Sequence, residues 1–260
     1  MKSMEQIIKI QRSYNQNLRK EVTEFVAAIP RRDLASILLS GSTARGDFCP
    51  GRFGGMIDLT VMVNVGSKVR TSDIFGENEE PEIPYHCVKR GGNWYQIAFH
   101  EFIDHRKFQL LDESKKFALL ESEVIWENEG CYSREYEIIR KYALVDQNKL
   151  KGECLGYISY LLSEYKEDRW FRRDAFVQLH ANLNTAIQHA LKCLFYMNEL
   201  YAPAEDRRMY YAFSLPKIPS GFASLMASLH QQQIDSESDY ERRKNLFNDQ
   251  FLDYINRVGT

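Results

Sequence analysis

The stretch from Leu38 to Val63, LLSGSTARGDFCPGRFGGMIDLTVMV, constrains this chain more than any other. An apolar run, Ala35–Leu39, stops at Ser40-Gly41-Ser42, and after a loop containing Gly and Pro a second apolar run, Ile57–Val63, begins with Asp58 as its second residue. Short runs of aliphatic and β-branched residues bounded by Gly and Pro read as strands. At the end of the first, a residue without a Cβ lets backbone amides approach a phosphate, and a helix starting there aims its positive end at the same anion. Asp58, between apolar neighbours at the mouth of the second strand, is placed to hold a cation. The stretch therefore reads as a phosphate cradle facing a cation ligand.

With 260 residues, 44% hydrophobic and 27% charged, the chain has apolar surface enough for a real core and length for one large or two modest domains, so a disordered chain is excluded. A formal net charge of −2 gives no global attraction to nucleic acid or anionic lipid and disfavours a polynucleotide partner. Cys49, Cys87, Cys131, Cys154 and Cys193 are scattered, odd in number and without a CxxC pair, which argues against a disulfide framework or zinc knuckle and for a reducing, cytoplasmic setting. The polar amino terminus lacks an apolar signal core, and no run approaches the ~18 apolar residues of a membrane span, so no membrane association is expected.

Around the central stretch, Glu5–Ala28 places Ile7, Ile8, Ile10, Leu18, Val22 and Phe25-Val26 on one helical face and ends before Pro30, as a helix covering a sheet would. Asn64–Glu82 reads as a loop. His86–Arg90 and Trp94–Phe102, separated by Gly91-Gly92-Asn93, read as a hairpin whose second strand lies beside the one carrying Asp58. A short helix, Ser114–Leu120, and a last strand, Glu123–Trp126, follow. His86, Cys87, His100 and His105 match no zinc template. Beyond Tyr132 the alternation stops, and helices are expected over Arg134–Val145, Lys149–Lys166 and Arg169–Leu200 and within Arg207–Phe213, Gly221–Ser228 and Ser236–Asn256. The expected organisation is an α/β domain over residues 1–130, its sheet mixed, and a helical domain over 131–260.

Gly41-Ser42, then Arg45-Gly46, then Asp58-Leu59 on a strand resembles the signature of the nucleotidyltransferase superfamily that includes polymerase beta and the kanamycin nucleotidyltransferases. A later segment, from Asn198 through Tyr201-Ala202-Pro203 to Arg207-Arg208 and Leu215-Pro216, resembles the helical carboxy-terminal domain that accompanies the latter, with Arg207-Arg208-Met209 where Lys-Trp is usual. The two cover residues 30–130 and 175–220, most of the chain. The resemblance implies an α+β fold, a nucleotidyltransferase-like mixed sheet with flanking helices followed by an all-α bundle. It further implies metal-dependent transfer of a nucleoside monophosphate, AMP from ATP or another nucleoside triphosphate, to a hydroxyl or amine of a small-molecule acceptor in an interdomain cleft.

On that pattern Gly41 and Ser42 hold the phosphates, Arg45 pairs with phosphate oxygens, Asp58 binds Mg²⁺ or Mn²⁺, and Glu101, on the later strand, is the second metal ligand or the base. The usual pattern is Asp-x-Asp, and here Met56 holds the first position. A neutral thioether is a poor ligand for a hard cation, so a nucleotide-binding or interaction protein with a degenerate site stands as the alternative. AMP transfer to protein or RNA, as in antitoxin-like members, is a third reading. The plainest reading has Gly41 making a tight turn, Ser42 capping a helix, Arg45 in a surface ion pair and Asp58 capping a loop. The acceptor, the base and the oligomeric state, a homodimer included, stay open.

Overall fold

The structure, a computed structural model, describes residues 4–31, 33–49, 55–90 and 92–258, with side chains from residue 15 onward. The side chains of Ile7, Ile8 and Ile10 of the leading helix, and Gly91 of the hairpin turn, therefore lie outside what is described. The chain is α+β. Helix α1 (Met4–Ala27) precedes β1 (Leu34–Ser40), the single turn α2 (Gly41–Arg45) and β2 (Met56–Val63). Then come α3 (Thr71–Phe75), β3 (His86–Arg90), β4 (Asn93–Glu101), α4 (His105–Gln109), α5 (Glu113–Glu121) and β5 (Glu123–Glu127). Helices follow: α6 (Cys131–Leu161), α7 (Glu164–Phe171), α8 (Phe176–Met197), α9 (Glu205–Ala212), α10 (Phe222–His230) and α11 (Glu237–Leu246), the last running through a wider π turn, Phe247–Leu252, into α12 (Asp253–Val258).

Two compact units result, Met1–Tyr142 and Ala143–Thr260. The division falls within α6 because its first turns bury side chains in the first unit: Tyr136 donates its hydroxyl to Leu120 O at 2.9 Å, and Tyr132 meets Phe102 edge-on at 6.5 Å.

The first unit is built on a five-stranded sheet in the order β3-β4-β2-β1-β5. β1 runs antiparallel to both its neighbours, and β2 pairs with β4 in parallel. A parallel neighbour needs a crossover, and the chain makes it through α3 and the β3–β4 hairpin. Alternation gives the sheet two faces of different chemistry. Ile37, Leu39, Ile57, Leu59, Val61, Tyr95 and Ile97 pack with Leu18, Val22 and Val26 of α1 and Phe75 of α3, forming one buried cluster. Each such side chain contributes about 1.5–3 kcal/mol on burial. The intervening positions, Ser40, Asp58, Thr60 and Gln96, point to the opposite face. A one-residue slip would exchange the two sets, so the apolar face fixes which residues stand beside Asp58.

Three departures from the sequence reading have local causes. α3 lies inside the segment read as a loop, since five residues are too short to display a helical period. α6 continues through Asp146-Gln147-Asn148, where a break was expected: Gln147 is buried, and Asp146 accepts the Tyr201 hydroxyl at 2.8 Å. The helix expected over Arg169–Leu200 is two, broken where Asp174 adopts a left-handed conformation with φ of 50°. Among the described residues no helix is long and apolar enough to cross a membrane.

Candidate functional site

The end of β1 and the start of β2 meet at Ser40 and Asp58, which are direct cross-strand partners. Gly41 turns the chain away from β1 with φ of 65°, a conformation L-residues with a side chain adopt at a cost. A Cβ at Gly41 would stand 2.2 Å from Asp58 Oδ2, so only glycine fits against that carboxylate. Ser42 and Thr43 continue the turn; Asp47 donates its backbone N–H to Ser42 O at 3.0 Å, closing the loop that Gly46 begins at φ of 82°.

Below this turn runs a chain of hydroxyls. Ser122 gives its proton to Ala118 O at 2.6 Å, so it must accept from Ser40, 2.7 Å away. Ser40 then has only acceptor capacity left for Thr60, 3.2 Å away, and Thr60 donates. The chain ties β1, β2 and the end of α5 together beside Asp58.

α5 also delivers an acid that sequence reasoning missed. Arg45 Nη1 donates to Glu121 Oε1 at 2.6 Å and Arg45 Nε lies 3.3 Å from Asp47 Oδ1. Asp47 is buried, and Glu121 Oε2 is buried without a hydrogen-bond partner. Burial pushes the Glu121 carboxyl up to about 7; Arg45 pulls against that shift, while the charges of Asp47 and Asp58 add to it. Burial likewise raises Asp47 above the usual carboxylate range, against the pull of Arg45. Asp58, Asp47 and Glu121 thus share one electrostatic environment with a single guanidinium. Arg45, expected at phosphate oxygens, is held by two carboxylates of its own unit. Further support comes from α1: Arg19 donates to Ala44 O at 2.7 Å, and Asn15 to Phe48 O at 3.2 Å.

The register identifies what stands on the sheet beside Asp58. Its partner on β1 is Ser40 and its partner on β4 is Gln96; Met56, two residues back on the same face, pairs with Trp94. No carboxylate occupies any of these positions. Glu101, expected to share a metal with Asp58, is separated from it: its β2 partner is Val63, five residues further along the strand, about 16 Å at 3.3 Å per residue. There it is exposed, accepting from Lys107 Nζ at 2.9 Å and from the Gly66 amide at 3.1 Å, and these contacts hold its carboxyl below the usual range. Parallel pairing, not position near the strand's end, decides which β4 residue meets Asp58, and it brings Gln96 there.

A two-metal site needs several hard oxygen ligands converging on one point. Asp58 is the one acid on this part of the sheet, while Glu121 and Asp47 are turned to Arg45, and among the described residues no group of three or more His, Cys, Asp or Glu side chains is placed to hold a metal ion. The donor set does not fit a pair of ions. It leaves room for one Mg²⁺ held chiefly by phosphates and water with one or two carboxylates, which is how Mg²⁺ usually sits beside a nucleotide.

In the second unit, Asn198 serves the backbone: its side chain donates to Leu194 O at 2.7 Å and brackets Lys217, accepting its amide at 2.8 Å. Arg207 is exposed beside Asp206, while Arg208 is buried.

No protein-family model matches the chain, and no curated protein matches it. Among solved structures it is similar to a nucleotidyltransferase-like protein from Exiguobacterium sibiricum, with 9% identity over 94% of this chain and 74% of that one and a TM-score of 0.34. A likeness at that level assigns no role to any residue.

Proposed function

We propose that the Met1–Tyr142 unit is a nucleotide-binding domain of nucleotidyltransferase ancestry that grips the triphosphate of ATP, or of another nucleoside triphosphate, together with the one Mg²⁺ the nucleotide carries, and that it has lost two-metal transfer. The observation that carries this reading is the register around Asp58, which puts Ser40 and Gln96 beside it and Met56 behind it. In the binding step, amides of the turn after Ser40 contact phosphate oxygens, and Asp58, whose carboxylate packs against the bare Gly41, shares the cation. Glu121 tunes the grip. Protonated below about 7, it releases Arg45 toward phosphate; ionised above it, it competes for the same guanidinium. Nucleotide affinity is therefore expected to rise as pH falls from 8 to 6.

A second reading, AMP transfer to a hydroxyl or amine of a small molecule, is favoured by one feature: Glu121, with its pKa near neutrality and an unpartnered oxygen, has the properties of a general base close to Asp58. Mg²⁺-dependent pyrophosphate release from ATP separates the two. The native chain is expected to release none above a blank, whereas Met56→Asp combined with Gln96→Asp, which restores carboxylates on both sides of Asp58, is the variant in which release would appear. Release by the native chain that Asp58→Asn abolishes would replace the binding reading with the transfer reading.

A further inference from the structure

The second unit contains a polar cavity of about 600 Å³, walled by α8 and α9 and the end of α10. Its lining includes Gln188, His189, Lys192, Arg208 and His230, with Glu205 as its one acid. Arg208 is the anomaly. It is 8% exposed, yet its guanidinium has only two long contacts, to Gln188 Oε1 at 3.3 Å and Pro203 O at 3.4 Å, and its Nε is buried with no partner. Glu205 is exposed and makes no ion pair with it. Leaving a buried guanidinium without a counter-charge costs several kcal/mol. Two other arginines are better satisfied: half-buried Arg45 has two carboxylates, and Arg243, buried without a counter-charge, has three acceptors at 2.5–2.7 Å.

The missing counter-charge has somewhere to come from, because Arg208 borders open volume. Lys192 shares that wall with the imidazoles of His189 and His230, so two cationic side chains, Lys192 and Arg208, face the single carboxylate. A guanidinium with an unsatisfied edge, an amide and imidazoles nearby matches the several acceptors of a tetrahedral oxyanion. The volume exceeds what a bare phosphate fills and lies in the range of sites for small organic ligands. We infer that this cavity binds a phosphorylated small molecule, its phosphate monoester seated on Arg208 and Gln188 and its organic part filling the remainder. The inference rests on the second unit alone and does not depend on the reading of Asp58.

The test uses the full chain, with ribose 5-phosphate as probe and inorganic phosphate and ribose as its two halves, read by calorimetry and by the thermal midpoint. Ribose 5-phosphate is expected to bind and raise the midpoint, inorganic phosphate to bind at least tenfold more weakly, and ribose not to bind. Arg208→Met is expected to weaken ribose 5-phosphate at least tenfold while melting no lower than the native chain without ligand, because the substitution removes an uncompensated charge. Asp58→Asn is expected to bind like the native chain. Three results would overturn the assignment: no binding of ribose 5-phosphate to the native chain, undiminished binding to Arg208→Met, or binding that Asp58→Asn removes.

Discussion

Two sites, one in each unit, gather charge in opposite ways. In the first, one guanidinium, Arg45, stands among Glu121, Asp47 and Asp58, an anionic surplus. In the second, Arg243 is fully buried and bonds only neutral acceptors, His180 Nδ1 at 2.6 Å, Asn184 Oδ1 at 2.5 Å and Leu229 O at 2.7 Å, and Arg208 has fewer still. Anionic surplus asks for a cation, and a nucleotide brings one with its phosphates. Cationic surplus asks for an anion. The same currency, uncompensated buried charge, thus points the two units toward ligands of different kinds.

Arg243→Met should have the largest effect, because two buried acceptors and the half-buried Asn184 lose their donor together; at about 1–3 kcal/mol for each orphaned group, a loss of about 3 kcal/mol or more is expected in denaturant unfolding. A stability within error of native would show that the second unit does not depend on its buried cation.

Gly41→Ala comes next, at about 2–3 kcal/mol, combining left-handed strain with the contact on Asp58. In an Asp58→Ala background the collision is gone and only the backbone strain, about 1 kcal/mol, should persist. Additive effects in that cycle would break the claimed contact.

The opposed surpluses also give opposed pH responses. Glu121 is raised from 4.5 to about 7, so the folded state holds a proton that the unfolded state has lost; its contribution is full below 4.5 and disappears as pH rises through 7. His180 is lowered from 6.5 by burial, with Arg243 adding to the shift, so the unfolded state takes the proton first and stability falls as pH drops below 6.5. Between pH 7 and 5, native-state hydrogen exchange should therefore show slower opening of β1 amides and faster opening of α8 amides. Both moving together would mean that these groups do not govern the response.

Glu101→Gln is expected to leave stability within the error of an unfolding curve, since its contacts are exposed, and to leave nucleotide binding untouched. A loss of binding would return Glu101 to the site.

How much of this was legible in sequence differs between residues in instructive ways. The Gly41 turn and both strands flanking it were readable, because a glycine between an apolar run and a polar loop leaves few other conformations, and the strand that bears Asp58 shows its alternation openly. What faces Asp58 was not. Gln96 and Glu101 lie on one strand, and choosing between them needs the parallel register, which the crossover through residues 64–92 determines and no local pattern encodes. Glu121 was lost by one residue at the end of a helix read as Ser114–Leu120; its meaning comes from Arg45, a partner 76 positions away. Arg208 stood out as a basic residue, but only burial shows that its charge lacks an answer.

The claim that a single sheet carboxylate serves the first unit is tested most directly by counting metal ions. Mn²⁺ binding to the full chain, followed by electron paramagnetic resonance in the presence of saturating ATP, should give one bound ion per chain above that carried by free nucleotide, lost in Asp58→Asn and retained in Glu101→Gln. Two bound ions per chain, or one that survives Asp58→Asn, would contradict it.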